Sequence, residues 1–201
     1  YGAKARKQIN KDLYGKMGTE DERLVWWNPK DANNKDGGYQ QEKFKFSDIQ
    51  TWMGDYVWMR IEEMYLIAAE AECCLGNDAG AREYLMDLMS KRDASYSCAQ
   101  KSGTSMGKLT SDYTGSLLEE IIIQRRIELW GEFGRIYDIR RLKQGFKRTA
   151  EMGWPTDALL VNRNANDPES YMWVLTIPQT EFDGNSSLDQ TKDQNPVGDT
   201  K

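Results

Sequence analysis

The chain of 201 residues is 39% hydrophobic and 29% charged, and it carries a formal net charge of −5 at pH 7. This length suits one domain or one half of a larger one, whereas the acidic balance disfavours nucleic acid, which needs a concentrated basic surface on its partner. The absence of histidine excludes Ser-His-Asp and Cys-His catalysis and histidine-ligated zinc, and no apolar run reaches the length that spans a bilayer.

The first 51 residues are predicted to form a loop-rich segment. Leu24 to Trp27 is a short apolar run that favours an extended strand, and residues 28–38 are dense in turn-forming Asn, Asp, Pro and Gly. Residues 40–46 alternate weakly and predict a second short strand. The chain begins at Tyr1 without a starting Met or a signal peptide, so we expect a fragment or a processed piece of a longer protein.

Helical periodicity begins near Tyr56 and continues to Leu75. Gly76 and Asn77 supply a left-handed stop, and Asp78 is predicted to cap the next helix. The two helices are expected to form an antiparallel hairpin with the spacing of a tetratricopeptide pair. The predicted inner faces comprise Val57, Ile61, Met64, Tyr65, Ala68, Ala71 and Leu75 on the first helix, and Ala81, Leu85 and Leu88 on the second.

A long helix is predicted from Leu117 to Leu142, with Ser116 and Glu119 forming a capping box at its start, although Gly131 and Gly134 disfavour an unbroken helix. Alternating charges follow one stripe of this helix, beside a broad apolar face. Exposed ion pairs contribute only about 0–1 kcal/mol each, so this regular pattern favours an internal ion-pair network that fixes how the helix docks. A catalytic acid–base pair is the alternative. The charges are Arg125, Glu128, Glu132, Arg135 and Asp138, and the apolar face comprises Leu118, Ile121, Ile122, Leu129, Phe133, Ile136 and Tyr137.

The three cysteines are an odd number. Cys73 and Cys74 lie near a helix end and are expected to act as buried small hydrophobes. A disulfide from either of them to Cys98, in the polar loop 94–115, is the alternative for an exported protein. The spacing disfavours zinc, and a reactive thiol would need a basic partner. We expect no metal and no cofactor.

Three blocks of the sequence resemble the SusD/RagB family. Arg60 to Ala71, RIEEMYLIAAEA, is similar to the family's helix R-x-x-E-M-Y-L-I-x-A-E-A, and the charged pattern from Arg125 to Arg141 resembles its C-terminal signature. Near the end of the chain, Ile177-Pro178 with Glu181, and then Gln194-Asn195-Pro196, resemble the family's closing motif. The three blocks occur in the family's order, which makes the resemblance specific.

The resemblance implies a mainly α fold, built of tetratricopeptide-like helical hairpins with long loops and a few short strands, as a fragment of the SusD-like α-α superhelix. Residues 52–201 would form the C-terminal helical domain with its polar tail. The function implied is that of a non-enzymatic, carbohydrate-binding lipoprotein on the outer membrane of Bacteroidetes. It would capture oligosaccharides for polysaccharide utilization and deliver them to a SusC-type TonB-dependent transporter, held by an N-terminal lipid anchor that this chain does not contain.

Two loops have the composition of a sugar site, which combines flat aromatic rings with amides, carboxylates and arginine. Adjacent residues on a strand point to opposite sides, so at most one of Trp26 and Trp27 is expected to face a ligand while the other enters the core. The candidates are Trp26, Trp27, Asn28, Asp31, Asn33 and Tyr39 in the first loop, and Trp154, Asn162, Arg163 and Asn164 in the second. A purely structural role for these aromatics is the alternative, and Trp52, Trp58 and Trp130 are expected in the core.

Other classes of function are weighed beside glycan binding. A tetratricopeptide-type interaction module or scaffold would bind a peptide or a subunit on its helices. A glycoside hydrolase needs two carboxylates and no histidine, but the neighbouring arginines should lower the pKa of Glu128 and Glu132, whereas a general acid needs a raised one. Asp31, Asn33 and Asp36 could also supply oxygen ligands to Ca²⁺, although their spacing departs from an EF-hand.

Overall fold

The computed structural model describes residues 8–29, 39–44, 46–48, 50–51, 53–55, 58–132, 134–152, 154, 167 and 174–195. These residues form a mainly helical structure with one small antiparallel sheet, as the sequence predicts. The elements are α1 (Lys11–Tyr14), a 3-10 helix (Glu22–Trp26), β1 (Trp27–Asn28), β2 (Gln40–Gln41), α2 (Ile61–Cys74), α3 (Asp78–Met89), α4 (Leu117–Glu128), α5 (Arg135–Arg141), α6 (Gln179–Gly184) and α7 (Gln190–Asp193). In the sheet, Trp27 pairs with Gln41 and Asn28 with Gln40.

Helices α2 and α3 form the predicted hairpin. Gly76 takes a φ of +82°, the left-handed conformation that glycine adopts without steric cost. The cap of α3 is Asn77, whose side chain accepts a hydrogen bond from the Gly80 amide at 3.1 Å. The prediction that Asp78 caps this helix was wrong, because Asp78 already has helical backbone and its carboxylate accepts from the amide of Gly103 instead.

The buried face of α2 differs from the predicted one. Leu66, Ala69 and Cys73 are fully buried, while Ile61 and Leu75 are 66% and 82% exposed. Periodicity finds a helix but cannot choose between two adjacent apolar stripes, and packing against α3 and α4 selects the stripe through Leu66. Trp58 is 85% exposed rather than buried, because residues 58–60 precede the helix. The expectation for Trp52 falls outside the described residues.

The long helix predicted from Leu117 to Leu142 is two helices. Gly131 and Gly134 have φ values of +76° and +131° between α4 and α5, and this conformation ends a right-handed helix. The predicted apolar stripe is therefore broken, and Ile136 and Tyr137 on α5 are 50% and 57% exposed. Helix α4 is the central element, with buried side chains around most of its circumference, namely Leu117, Leu118, Ile121, Ile122, Ile123 and Ile127.

Helix α4 contributes to both clusters of the hydrophobic core. One cluster joins it to α2 and α3 around Leu66 and Leu85. The other joins Ile123 and Ile127 to Ile9, Leu13 and Trp27 of the N-terminal segment. The predicted boundary near residue 51 remains a prediction.

Smaller expectations are corrected elsewhere in the chain. Residues 22–26 form a 3-10 helix rather than a strand, and the polar tail contains the short helices α6 and α7. Cys73 and Cys98 are buried with free thiols, whereas Cys74 is exposed. Burial raises the pKa of Cys73 to about 11, so this residue stays a neutral thiol. No helix formed by the described residues is long and apolar enough to cross a membrane.

Candidate functional site

The end of α4 carries a buried carboxylate surrounded by arginines. Glu128 is fully buried and accepts hydrogen bonds from Arg23 at 3.3 Å, Arg60 at 2.7 Å and Arg92 at 2.9 Å. Arg23 is also fully buried, and its other donors reach Asp21 at 2.7 Å and Gln124 at 2.6 Å. Because every one of these arginines has a carboxylate partner, this cluster is a closed ion-pair network that ties three distant segments to α4.

Glu132 extends the same network just beyond α4. It pairs with Lys43 at 2.5 Å and with Arg60 at 2.8 Å. Burial alone would raise the pKa of Glu128, but hydrogen bonds from Arg92 and Arg60 outweigh it and hold that pKa below 4.5. A carboxylate of lowered pKa is unsuited to donate a proton near neutral pH, so the network is structural.

The predicted charge ladder exists as a network, but its pairs do not run along one helix. Arg125 pairs with Asp138 of α5 at 3.0 Å and with Glu63 of α2 at 2.7 Å. Glu128 and Glu132 take their partners from other segments of the chain. Arg135 was expected in the ladder and is in none of the ion pairs among the described residues, because the break before α5 turns it towards a different part of the surface.

The described aromatic residues of the first predicted sugar loop take part in internal aromatic packing. Trp27 is only 2% exposed and packs edge-on against Trp130, with ring centroids 5.6 Å apart. It therefore belongs to the core and cannot face a ligand, which corrects its place among the candidates. Trp26 is half-buried beneath the Lys43 ammonium, 4.7 Å from the ring centroid. Tyr39 packs against Tyr14 at 4.9 Å.

The remaining predicted residues fall into three groups. Asn28 is half-buried and lies in the small sheet, near the candidates Trp26 and Tyr39. Trp154 lies in a cavity described below. The others fall outside the described residues, and these are Asp31, Asn33, Asn162, Arg163 and Asn164, together with Asp36 of the calcium alternative.

A cavity of about 160 Å³ lies between the N-terminal segment and α5. The start of α1 supplies Asn10 and Asp12 to its wall, and the loop before α4 supplies Thr110 and Ser111. The segment after α5 supplies Phe146, Lys147, Arg148, Met152 and Trp154. Polar hydroxyl and amide groups therefore line the same small space as aromatic and cationic side chains.

The aromatic wall of the cavity is built by Trp154 and Phe146. The guanidinium of Arg148 lies 4.5 Å from the Trp154 ring centroid and 5.1 Å from that of Phe146. Burial lowers the pKa of Arg148. The indole Nε1 of Trp154 is buried and has no hydrogen-bond partner within the described part of the chain. An N–H group of this kind can only donate, so it offers a free donor to whatever enters the cavity.

Arg135 is the second free donor in the same wall. Its Nη1 is buried, and no described residue forms a hydrogen bond with it. Burial, and then the neighbouring charge of Arg126, lower the pKa of Arg135 to about 9, so it remains a cation at pH 7. The nearby carboxylate of Asp138 bonds to Arg125 and Arg141 instead.

Sequence reasoning selected Trp154 but missed the cationic side chains of the cavity. Arg135 was predicted to lie in the charge stripe of one long helix, and the break at Gly131 separates it from that stripe. The signal that could have found the rest is the run Phe146-Lys147-Arg148, where two cations follow an aromatic ring. Within the described part of the chain, no group of His, Cys, Asp or Glu has the arrangement of a metal site.

Comparison with known proteins gives a family and two similar folds. The sequence profile of the SusD family matches residues 6–196. A candidate sugar binding protein from Bacteroides vulgatus is 24% identical with a TM-score of 0.64, over 92% of this chain and 37% of its own length. A SusD superfamily protein from Bacteroides fragilis is 18% identical with a TM-score of 0.56, over 94% of this chain and 40% of its own.

At these identities the likeness to the solved structures concerns the fold alone. The chain spans 37% and 40% of the length of those two proteins, so it corresponds to one part of each. Comparison with curated proteins gave no match.

Proposed function

The chain belongs to the SusD family, whose members are non-catalytic binding proteins. From that premise we propose that it is part of a cell-surface lipoprotein that captures oligosaccharides. The observation that carries this proposal is the cavity beside Trp154, which combines an aromatic wall with unpartnered donors. Sugars present an apolar face of C–H groups and a rim of hydroxyls, and this combination suits both.

Family membership supports a proposal for the partner and the location. Its members are typically outer-membrane lipoproteins. We propose that the full-length protein is lipid-anchored at the cell surface and passes its glycan to a SusC-type TonB-dependent transporter. The net charge of −5 agrees with a partner that is not nucleic acid.

Trp154 is the proposed ligand-stacking residue, and Trp26, Asn28 and Tyr39 form a second, shallower candidate surface. Each hydrogen bond to a sugar hydroxyl contributes about 0.5–1.5 kcal/mol net to the binding free energy. A small site of this kind predicts micromolar to millimolar affinity, or roughly −4 to −8 kcal/mol.

Titration calorimetry against a broad panel of oligosaccharides tests the proposal. One glycan class should bind, and Trp154→Ala should weaken it because the aromatic wall is lost. Trp58→Ala is the matched control, since this tryptophan is 85% exposed and lies outside the cavity. Absence of heat and of competition for every glycan would contradict the proposal.

A tetratricopeptide-type interaction module is the second candidate, and one observation favours it. The exposed residues Ile61, Met64 and Leu75 follow the heptad-like steps of an apolar seam on α2. Such a seam suits contact with another protein, which for this family could include the transporter. Recovery of a large outer-membrane barrel in a pull-down would support both functions together, whereas recovery of peptide partners without any glycan binding would favour the module alone.

A further inference from the structure

We propose that the cavity beside Trp154 recognises a negatively charged substituent on a sugar, either the carboxylate of a uronic acid or a sulfate ester. This inference rests on the proposed glycan-binding function and narrows its substrate class to acidic glycans. It depends on three properties of the cavity: its unpartnered donors, its excess of cations and its size.

The unpartnered groups of the cavity are both donors. Arg135 Nη1 and Trp154 Nε1 are buried and have no hydrogen-bond partner among the residues that the structure describes, and neither atom can accept a hydrogen bond. A buried donor left unsatisfied is unfavourable, so a ligand that supplies acceptor oxygens gains affinity here. A neutral sugar hydroxyl both donates and accepts, whereas a carboxylate or sulfate oxygen only accepts and therefore matches this pair better.

The charge of the cavity points to the same ligands. Among the described residues that line it, four cations stand against the single carboxylate of Asp12. Asp12 is already engaged, because it accepts a hydrogen bond from the hydroxyl of Tyr113. This local excess of positive charge, in a chain of net charge −5, is neutralised when an anion binds. The cations are Arg126, Arg135, Lys147 and Arg148.

The arrangement of Arg148 fits an oxyanion on a sugar ring rather than a bare ion. Its guanidinium stacks on Trp154, and a stacked guanidinium keeps its N–H edge free for two parallel hydrogen bonds to a carboxylate or sulfate. Asn10, Thr110 and Ser111 also line the cavity and carry the neutral polar groups that sugar hydroxyls need. The lining therefore offers groups for the charged substituent and groups for the ring.

The cavity volume of about 160 Å³ limits the number of sugar units that the cavity can enclose. Pockets that enclose a whole drug-sized ligand have volumes of about 300–1,000 Å³. This cavity therefore accepts one charged sugar unit, with the rest of an oligosaccharide extending over the surface.

Calorimetric titration with matched ligands tests the inference. The probes are trigalacturonate, its neutral methyl ester, and a sulfated galactan trisaccharide with its desulfated form. The charged members should bind about tenfold or more tightly than their neutral counterparts, and rising salt should weaken them. The carboxylate and sulfate pairs distinguish the two sources of negative charge.

Arg135→Met should weaken the charged ligands about tenfold or more, because it removes a free donor and a cation. Arg82→Met is the matched control, since Arg82 is a half-buried arginine on α3 that bonds to the carbonyl of Lys101 and does not line the cavity. If Arg135→Met fails to fold by circular dichroism, Lys147→Gln removes an exposed cation of the cavity instead.

The outcomes separate this inference from the proposed function. Equal binding of charged and neutral ligands, unchanged by Arg135→Met, would overturn acidic specificity and leave glycan binding intact. No binding of any glycan across a broad panel would overturn both. Inorganic sulfate binding as tightly as the sulfated trisaccharide would also overturn the inference, because the sugar would then contribute nothing.

Discussion

Two arginine clusters surround Glu128 and Arg135, which are seven residues apart along the chain. The clusters differ in the source of the negative charge that balances their arginines. Around Glu128, three arginines are matched by Glu128, Asp21 and carboxylates of other segments. Around Arg135, the cations face one engaged carboxylate and two unpartnered donors remain. The same residue type therefore closes the fold where the chain supplies its partner and is available to a ligand where the chain does not.

The largest expected effect is at Glu128. Glu128→Gln should lower the free energy of unfolding by about 3–5 kcal/mol, because it leaves three arginines without the buried carboxylate they share. Urea unfolding at pH 7 measures this. Glu83→Gln, at an exposed position of α3, should change stability by less than about 0.5 kcal/mol. A loss below about 1 kcal/mol for Glu128→Gln would break the contrast between the two clusters.

Trp27 tests the structural side of the same contrast. Trp27→Ala should cost about 3–5 kcal/mol, since the ring is buried against Trp130 and Tyr14. Trp58→Ala should be nearly neutral, since that ring is 85% exposed. Thermal unfolding of both variants measures the difference. A stable Trp27→Ala that loses only glycan binding would return Trp27 to the ligand candidates.

Acid should weaken the Glu128 cluster in a defined pH range. The folded pKa of Glu128 lies below its ordinary value of 4.5, so the unfolded state binds the proton first. The stability from this group is present above pH 4.5 and is lost as pH falls through the folded pKa, by at most about 1.4 kcal/mol per pH unit. Urea unfolding between pH 6 and pH 3 should show a shallower decline in Glu128→Gln. Parallel declines in the two proteins would exclude Glu128 as the source.

The smallest expected effect on stability is at Arg135. Arg135→Met should be neutral or stabilising within about 1 kcal/mol without ligand, because an apolar side chain replaces a cation whose buried Nη1 has no hydrogen-bond partner among the described residues. The measurement is urea unfolding beside Glu128→Gln under the same conditions. A loss of several kcal/mol would mean that Arg135 has a structural partner, and the distinction between the clusters would disappear.

Much of the secondary structure was predictable because it depends on neighbours in sequence. The α2–α3 hairpin, its glycine stop and the buried face of α3 follow from periodicity and turn residues over a few positions. The first turn of α4 is local as well, since Ser116 accepts a hydrogen bond from the Glu119 amide at 3.1 Å. The Glu119 carboxylate instead accepts from Thr114 and Gly115, a small departure from the predicted capping box.

The sequence by itself determined the helical class, the family and the presence of an ion-pair network on the segment from Leu117 to Leu142. Only the tertiary structure decided which charge meets which, because the partners of Glu128 lie 105, 68 and 36 residues away. It also decided that α2 buries the stripe through Leu66 and that Arg135 turns away from the network into a cavity with Trp154. Periodicity records which face a residue occupies, whereas the partner opposite that face is fixed by long-range packing, which no local pattern encodes.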